Sequence, residues 1–548
     1  MGGTTYKTTD AVDFVIVGSG AAGGVLAKEL STNGFRVVVL EQGPRLSPGD
    51  FKHDEYWAFN RNALTNNWND QPNTYRKTAQ DKAEKKPAVW YGRMVGGGSV
   101  HFTSNYWRFH QIDFKEVSMK GGVPGTGVAD WPISYTDLEP YYTKAEWELG
   151  VSGLAGASPF DPPRSKPYPL PPMPIKSSGV LMERAAKRLG WHAFPAPLAI
   201  ISKNYNNRPA CMHCGFCEAF GCEYGAKSST LATTIPIAEE TGRCEIRPHS
   251  YVSQIEVNAQ GRVSGVVYFD KNKKEQRQKA KAVVVCANGA ETPRLLLMSK
   301  SQKFPDGLAN SSGLVGKYLM FDTGAFSAGV FEHPLNDFKS VHVSRVIHDF
   351  YEIDSKHGVY GGGGLDGRFD FYPVAYATGG FASEMPQWGA EFKKNLKWFP
   401  RMMYVLSHNT VFPVETNSIS LDDEVKDAWG LPVIRVTYKN HPETLKTVAF
   451  MQDREMELLD AAGAQKSWRM PSWEGGFSVH LLGTCRMGND PKTSVVNADH
   501  RTHHVANLFL CDGSSLVTSG RNQPTATIQA LAYRAGDRIT ALAKRGEV

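Results

Sequence analysis

The chain has 548 residues, 41% hydrophobic and 21% charged, so it is long enough for two domains with cores of their own. Its net charge of +6 is spread over interspersed acidic and basic residues, which argues against a nucleic-acid-binding protein. Every apolar run is shorter than the roughly 20 residues that span a bilayer, and the N-terminal residues lack the pattern of a secretory signal. We therefore expect no transmembrane segment and a chain that starts in the cytoplasm.

Residues 13–41 read as a strand, a glycine-rich turn, a helix and a second strand. The apolar run 14–17 is typical of a buried parallel strand, and a helix over 21–32 and a strand over 37–40 follow, with Glu41 at the end. Bare N–H groups at a helix start suit a pyrophosphate, and an acid at this point suits the hydroxyls of an adenosine ribose. The unit predicts a dinucleotide site for FAD or NAD. The turn is G-x-G-x-x-G, formed by Gly18, Ser19, Gly20, Ala21, Ala22 and Gly23.

A second glycine-rich stretch follows a polar segment, 42–90, that has no clear periodicity and is long enough to form a lid. It begins at residue 91 and reads Y-G-R-M-V-G-G-G-S-V-H-F-T-S-N, with Ser99 and Asn105 after three glycines. Glycines let the backbone approach a planar ligand where any Cβ would clash, and an ordinary glycine turn is the alternative.

Four of the eight cysteines lie close together, in C-M-H-C-G-F-C-E-A-F-G-C. Such a close run of three C-x-x-C-spaced thiols is typical of iron–sulfur sites, whereas zinc sites usually pair two C-x-x-C motifs across a longer gap. The run predicts an iron–sulfur cluster, with structural zinc or simple thiols and disulfides as alternatives. The four residues are Cys211, Cys214, Cys217 and Cys222.

The remaining sequence alternates between strand-like and helical segments. A strand is predicted over 244–257, and a buried strand over 282–287 leads to a helix over 294–300. Residues from about 326 to 476 are richer in aromatics, and alternating stretches such as 433–438 predict an antiparallel sheet. His480 then opens the motif H-L-L-G-T-C-R-M-G.

Together these motifs resemble the glucose–methanol–choline (GMC) flavoprotein oxidoreductases over nearly the whole chain. The resemblance implies an α/β fold in which a Rossmann-like FAD-binding domain is interleaved with an antiparallel-sheet substrate domain. The FAD-binding domain is expected over 1–160, 205–325 and 477–548, with the cysteine-rich segment at 205–225. The substrate-binding domain is expected over 161–204 and 326–476.

The resemblance also implies where FAD contacts the chain. The first glycine turn would hold the pyrophosphate, and Val252 would lie beside the adenine. His101 stands where some relatives bond the flavin covalently; the alternative is a histidine packed beside the flavin. The other residues expected to bind FAD are Glu41, Gly97, Ser99, Asn105, Asp512, Gly513, Pro524 and Thr525.

His480 matches the family position that faces the substrate, so we expect it to be the general base in alcohol oxidation. The family usually has a second catalytic His or Asn directly before a proline. Here Gln523 precedes Pro524, and Asn522 stands one place earlier. Gln523 stands at the matching position, directly before the proline, whereas Asn522 has a residue type that the family uses there. Either side-chain amide could donate a hydrogen bond to the substrate oxygen as it becomes an alkoxide.

The cysteine-rich segment is similar to that of bacterial FAD-dependent glucose and fructose dehydrogenases, which hold a [3Fe–4S] cluster. Cys211, Cys217 and Cys222 lie nearest the family placement, and Cys214 is an alternative ligand or the fourth ligand of a [4Fe–4S] cluster. The resemblance implies a dehydrogenase for a sugar or glycoside hydroxyl, such as a glucoside 3-dehydrogenase or the catalytic subunit of a glucose dehydrogenase.

Electrons would pass through the cluster to a c-type cytochrome or quinone. A small exported accessory subunit would carry the chain to the periplasm, and the cytoplasm is the alternative location. Two other functions stay open from the sequence: an oxidase or dehydrogenase for a lipid-like or other alcohol, and a non-catalytic electron-transfer subunit.

Overall fold

The computed structural model describes residues 4–60, 64–369, 371–378, 386, 388–472 and 476–548. The strands are, in chain order, β1 (Val12–Val17), β2 (Val37–Leu40), β3 (Asn73–Arg76), β4 (Glu84–Lys85), β5 (Ala193–Pro195), β6 (Cys244–Arg247), β7 (Tyr251–Val257), β8 (Val263–Phe269), β9 (Glu275–Val285), β10 (Met320–Phe321), β11 (Phe326–Val330), β12 (Arg345–Ile347), β13 (Gly363–Arg368), β14 (Met402–Asn409), β15 (Ser418–Lys426), β16 (Pro432–Thr437), β17 (Lys466–Arg469), β18 (Leu481–Leu482) and β19 (Leu508–Leu510). The helices are α1 (Gly23–Thr32), α2 (Gln111–Phe114), α3 (Glu116–Lys120), α4 (Tyr135–Leu149), α5 (Ser177–Leu189), α6 (Thr234–Glu240), α7 (Asn288–Met298), α8 (Pro373–Thr378), α9 (Gly389–Leu396), α10 (Pro442–Ala462) and α11 (Thr525–Lys544).

The first sheet is built on short β-branched runs, as the sequence predicts. Its order is β6–β2–β1–β9–β8–β7, with β19 also paired to β9. β6, β2, β1, β9 and β19 are parallel to one another, and Val15 aligns with Val38 on one side and Val283 on the other. β2, β19 and most of β1 are buried on both faces, which is why their sequences are almost continuously apolar rather than alternating.

Three predicted elements have different bounds in the structure. The strand predicted over 244–257 is two strands, β6 and β7, because Pro248 has no N–H to donate and His249 takes a positive φ of 53°. α1 begins at Gly23 rather than residue 21, since residues 21 and 22 belong to the turn. The helix predicted over 294–300 is α7, which starts six residues earlier at Asn288.

The predicted antiparallel sheet is confirmed and has six strands, in the order β17–β11–β14–β13–β12–β5. It joins β5, from the expected substrate segment 161–204, with strands from segment 326–476, although the exact domain boundaries stay predictions. A four-stranded sheet, β15–β16–β3–β4, takes two strands from segment 42–90, for which the sequence showed no periodicity.

The long helix α11 connects the first sheet to the site. Its residues pack on α1, where a Cβ on Gly536 would lie 2.8 Å from the Cβ of Glu29. Its first residue, Thr525, lines the main cavity of the molecule. Of the helices in the described ranges, none is at once long and apolar enough to cross a membrane.

Candidate active site

A cavity of about 1030 Å³ lies at the carboxyl ends of the parallel strands and reaches the six-stranded sheet. Its walls come from the turns after β1 and β2, the segment 97–105, and the first residues of α7 and α11. Ligands of open parallel sheets bind at such strand ends. The cavity therefore lies where the sequence predicts a dinucleotide.

The glycine-rich turn after β1 is packed so closely that side chains are excluded. Gly18 has a φ of 93°, and a Cβ on Gly23 would overlap the carbonyl oxygen of Gly18. A Cβ on Gly97 would lie 2.7 Å from the Cα of Gly20, so the two glycine-rich stretches meet backbone to backbone. Gly20, Gly97 and the neighbouring residues Gly18, Ala21 and Ala22 line the cavity, and their backbone forms a cradle that suits a pyrophosphate.

Glu41 is buried at the end of β2 and lines the cavity. Its Oε2 accepts hydrogen bonds from the backbone N–H (3.1 Å) and the hydroxyl (2.8 Å) of Ser19, and its Oε1 accepts one from the N–H of Gly43 (2.9 Å). Burial raises the pKa of the carboxyl, although these donors oppose the shift. Ser19 also ties the two stretches together, since its Oγ accepts from the N–H of Gly96 (3.0 Å).

The segment 97–105 presents unpaired polar atoms to the cavity. Nε2 of His101 and both side-chain polar atoms of Asn105 are buried and have no hydrogen-bond partner. Burial, reinforced by the ammonium of Lys227, lowers the pKa of His101 to about 4. Ser99 is held in place by its hydroxyl, which donates to the carbonyl of Gly96 (2.7 Å). Buried polar atoms without partners are costly, so these atoms fit a bound ligand with polar ring edges.

Residues that follow β9 and β19 complete the end of the cavity that contains the glycine-rich turn, called here the cofactor end. Asp512 accepts hydrogen bonds from the N–H groups of Ser514 (2.7 Å) and Asn288 (3.0 Å) and from the hydroxyl of Thr292 (2.6 Å). It thereby fixes the start of α7 beside β19. Burial raises the pKa of its carboxyl against these donors. Asp512 lines the cavity together with the other predicted residues Val252, Gly513, Pro524 and Thr525.

At the opposite end of the cavity, a strand pairing brings His480 against a carboxylate. β10 and β18 are antiparallel, with Phe321 opposite Leu481, so the flanking residues Asp322 and His480 face each other. Nδ1 of His480 lies 3.2 Å from Oδ2 of Asp322, and both residues line the cavity. Burial would raise the pKa of Asp322, but His480 and His408 lower it. An ionised Asp322 favours the tautomer with the proton on Nδ1, which leaves Nε2 of His480 free to accept one.

A second histidine lies in the same wall. Nδ1 of His408 is 3.8 Å from Oδ2 of Asp322, and its Nε2 is 3.3 Å from Oδ2 of Asp366. Arg368 donates two hydrogen bonds of 2.6 Å to Asp366. Burial would lower the pKa of His408, but the two carboxylates raise it above its ordinary value. Nε2 of Gln523 lies 2.9 Å from Nε2 of the His408 ring. Gln523, His408 and His480 all line the cavity, and the part of its wall that they form is called here the reacting end.

The structure separates the two candidates for the second catalytic residue. Gln523 lines the cavity. Asn522 turns into the interior, where its Nδ2 donates to the carbonyl of Arg108 (2.9 Å) and to the hydroxyl of Tyr351 (3.3 Å). Gln523 is thus the amide that lines the cavity, beside His408 and in the same wall as His480, while its role stays a prediction.

Sequence reasoning missed Asp322, His408 and Arg368. None of them belongs to a recognisable motif, and both His408 and Arg368 lie in buried strands where polar residues are few. Asp322 meets His480 through the pairing of β10 and β18, and His408 and Arg368 meet Asp366 through β13 and β14. Apolar side chains complete the wall at this end, namely Phe326, Phe371, Leu406, Met470, Phe477 and Val479.

The cysteine-rich segment lies against the cofactor end of the cavity. The N–H of Ala219 donates to the carbonyl of His101 (2.9 Å), and Ala219 itself lines the cavity. All four cysteines are free thiols: Cys217 is buried and Cys214 is exposed, with Cys211 and Cys222 between these extremes. Over the ranges that the structure describes, no group of three or more His, Cys, Asp or Glu side chains is placed to hold a metal ion. The thiols as positioned therefore do not form a ready-made ligand set.

Comparisons with known proteins identify the family of the chain. The family model described as GMC oxidoreductase matches residues 12–320 and, in a second part, residues 413–532. The chain is 35% identical over 538 residues to 2-methyl-1,2-propanediol dehydrogenase of Mycolicibacterium austroafricanum, covering 97% of this chain and 96% of that protein. It is 30% identical over 569 residues to the fructose dehydrogenase large subunit of Gluconobacter japonicus, covering 98% and 99%.

A solved structure shares the fold. A variant of the formate oxidase from Aspergillus oryzae RIB40 has a TM-score of 0.68 and 16% identity, covering 98% of this chain and 100% of that chain. The glycine cradle and the unpaired atoms of His101 and Asn105 fit the flavin dinucleotide that the family binds. The chain therefore belongs to the GMC oxidoreductases, FAD-dependent enzymes that act on CH–OH groups.

Proposed function

We propose that this protein is a dehydrogenase that oxidises one hydroxyl of a sugar or glycoside, as a glucoside 3-dehydrogenase or a glucose dehydrogenase catalytic subunit does. The observation that carries the proposal is the His480–Asp322 pair, 3.2 Å apart at the cavity wall opposite the cofactor end. A non-catalytic electron-transfer subunit would have no use for such a pair.

Each group at the reacting end has a task in this reaction. When bound, FAD supplies the acceptor for the hydride that leaves the carbinol carbon. His480 takes the hydroxyl proton on Nε2, and Asp322 stabilises the resulting imidazolium at Nδ1. Gln523 is placed to donate an amide N–H to the substrate oxygen as that oxygen gains negative charge.

Polar groups favour a polyhydroxylated substrate. Arg368, Ser407 and His408 line the reacting end beside His480, and each presents hydrogen-bonding atoms. The similarity to a fructose dehydrogenase large subunit supports a sugar.

A short branched alcohol or diol is the second candidate substrate. The apolar side chains of Phe326, Leu406 and Phe477 also wall the reacting end, and such walls suit methyl groups better than hydroxyls. The similarity to 2-methyl-1,2-propanediol dehydrogenase supports this candidate. A longer, lipid-like alcohol is a more apolar substrate of the same class.

We further propose that the cysteine-rich segment holds an iron–sulfur cluster, [3Fe–4S] or alternatively [4Fe–4S], that passes electrons to a c-type cytochrome or quinone. The C-x-x-C-x-x-C spacing and the contact of Ala219 with His101 support this, while the present positions of the thiols do not. Iron and acid-labile sulfide analysis of the purified protein tests it. A small exported partner subunit and a periplasmic location belong to the same proposal, with the cytoplasm as the alternative.

Covalent attachment of FAD to His101 is a separate proposal, supported by the unpaired Nε2 at the cavity wall. Acid precipitation tests it: a yellow pellet that His101→Ala turns colourless supports attachment, and a yellow supernatant contradicts it.

The function is tested by mixing the protein anaerobically with sugars, glycosides and branched diols and following the bleaching of the flavin absorbance. Bleaching by sugars or glycosides supports the first candidate, and bleaching by diols alone supports the second. If no hydroxyl compound bleaches the flavin, the proposed function is wrong.

A further inference from the structure

His408 occupies an unusual position for a histidine in a buried strand. It lies on β14, and carboxylates face both of its ring nitrogens: Asp322 beyond β10 at Nδ1 and Asp366 on β13 at Nε2. Its side chain is only 5% exposed. The indole of Trp107 closes one side of the ring at a centroid distance of 5.7 Å.

Two carboxylates around one ring favour its doubly protonated form. A neutral imidazole would turn one lone pair toward a carboxylate, whereas an imidazolium donates from both nitrogens. With His408 charged, each carboxylate has a cation beside it: Asp322 faces the His408 ring, and Asp366 faces both that ring and the Arg368 guanidinium. Glu455 on α10 adds no charge at neutral pH, because burial raises its pKa to about 8. The charged or titratable groups facing His408 are Asp322, Asp366, Arg368, His348 and His480.

A charged His408 determines how Gln523 is oriented. The amide atom assigned as Nε2 of Gln523 lies 2.9 Å from Nε2 and 3.2 Å from Nδ1 of the His408 ring. A ring that donates from both nitrogens accepts nothing, so only the amide oxygen can face it. Oxygen and nitrogen exchange places by a half-turn of the amide. The NH₂ group then points to the cavity that Gln523 lines.

We propose that His408 is a positioning residue of the reacting end: the doubly protonated ring holds the amide oxygen of Gln523, so that the amide NH₂ donates to the substrate oxygen. That oxygen becomes negative as its proton moves to His480 and the hydride leaves the same carbon. The inference rests on the proposed alcohol oxidation. It gives a glutamine a role at the position where the resemblance implies a histidine or asparagine.

The proposal predicts an alkaline limb in the pH profile of kcat. Alkali removes a proton from His408, whose ring then presents a lone pair and turns the NH₂ group of Gln523 away from the substrate. Because the pKa of His408 is raised, the charged form persists below that raised pKa and is lost above it.

The experiment compares pH profiles of substrate-dependent flavin bleaching for the FAD-loaded wild type, His408→Gln, Asp366→Asn and His348→Gln. His408→Gln should lower kcat about tenfold or more, change KM little and abolish the alkaline limb. Asp366→Asn should move that limb to lower pH. His348→Gln is the matched control: burial and the charge of His408 lower the pKa of His348 to about 3, so it is neutral throughout and the alkaline limb should stay.

Two outcomes overturn the proposal: an alkaline limb that survives in His408→Gln, or one that does not move in Asp366→Asn. If Asp366→Asn does not retain FAD, the ring is titrated directly by NMR in wild-type protein carrying ¹³C-labelled histidine. The signal missing from His408→Gln must then be that of an imidazolium at pH 7; a neutral signal overturns the proposal. If the wild type bleaches with no hydroxyl compound, the proposed function fails first.

Discussion

At the scale of single residues, the reacting end is organised by one carboxylate. Asp322 lies beside Nδ1 of both His480 and His408, at 3.2 and 3.8 Å. The two histidines lower its pKa, so it stays ionised over the range in which histidines titrate. In the proposed reaction, a carboxylate so placed would stabilise the proton passed to His480, because that proton would create a cation next to an existing anion.

Replacing His480 with alanine should slow flavin bleaching by substrate about a hundredfold or more while FAD stays bound, because the base is lost and the cofactor end is untouched. Stopped-flow absorbance gives the rate, and the flavin spectrum gives the occupancy. The control is His503→Ala, whose ring pairs with the hydroxyl of Ser494 (2.9 Å) and should leave the rate unchanged. Wild-type rates in His480→Ala would remove this residue from its assigned role.

At the scale of elements, the cofactor end depends on backbone packed against backbone. The turn after β1 folds onto the first residue of α1, and the stretch 97–100 packs on the same turn. Only glycines allow this approach, because a Cβ at Gly23 or Gly97 would occupy space that other backbone atoms already fill.

Replacing Gly23 with alanine should therefore reduce FAD occupancy at least tenfold and destabilise the fold by about 1–3 kcal/mol, as overpacking of a rigid site does. Flavin content per chain and thermal unfolding are the measurements. Gly122→Ala is the control, since a Cβ there meets nothing within 4 Å and its φ is not positive. Full occupancy in Gly23→Ala would show that the turn can open without losing the cofactor.

At the scale of the whole molecule, segments distant in sequence are joined by buried ion pairs. Arg294 on α7 lies 2.7 Å from Asp427, between β15 and β16, and donates to the hydroxyl of Tyr251 on β7 (2.5 Å). Both charged side chains are almost fully buried. This pair connects the helix at the cofactor end to the four-stranded sheet.

Asp427→Ala should destabilise the protein by about 1.5–3 kcal/mol, because it removes one of two carboxylates from the buried Arg294 guanidinium and leaves Glu291, 3.2 Å away, as the remaining partner. Urea unfolding gives the free energy. The control Glu391→Ala breaks the exposed pair with Lys394 and should cost about 0–1 kcal/mol. Equal losses in the two variants would contradict the assignment of the buried pair as a structural link.

The proposed path of electrons out of the protein, through the cysteine-rich segment, also belongs to the scale of the whole molecule. Cys217→Ser should lower the iron content and slow electron transfer to cytochrome c about tenfold or more, while substrate still bleaches the flavin within about twofold of the wild-type rate. Cys244→Ser, in the buried strand β6, should keep both iron content and transfer rate. Unchanged iron and transfer in Cys217→Ser would remove this cysteine from the proposed cluster.

The cofactor end could be predicted from the sequence because its chemistry is local. The residues from Gly18 to Gly23 and Glu41 belong to one strand–turn–helix–strand unit, whose spacing alone brings them together. His480 could also be predicted from local sequence, because the motif that it opens singles it out without reference to the residues it contacts. The cysteine spacing likewise predicts a cluster, but spacing does not say how the four thiols are placed, and within the described ranges they do not form a group able to hold a metal ion.

The reacting end was decided by tertiary structure. Asp322 meets His480 through the register of β10 and β18, and Asp366 meets His408 through the pairing of β13 and β14. The choice between Asn522 and Gln523 depends on which way the chain turns as it enters α11. Such contacts join residues far apart in the chain, and no local spacing encodes them. The sequence by itself thus determined the cofactor and the fold and singled out His480, whereas only the packed sheets determined which residues surround that histidine.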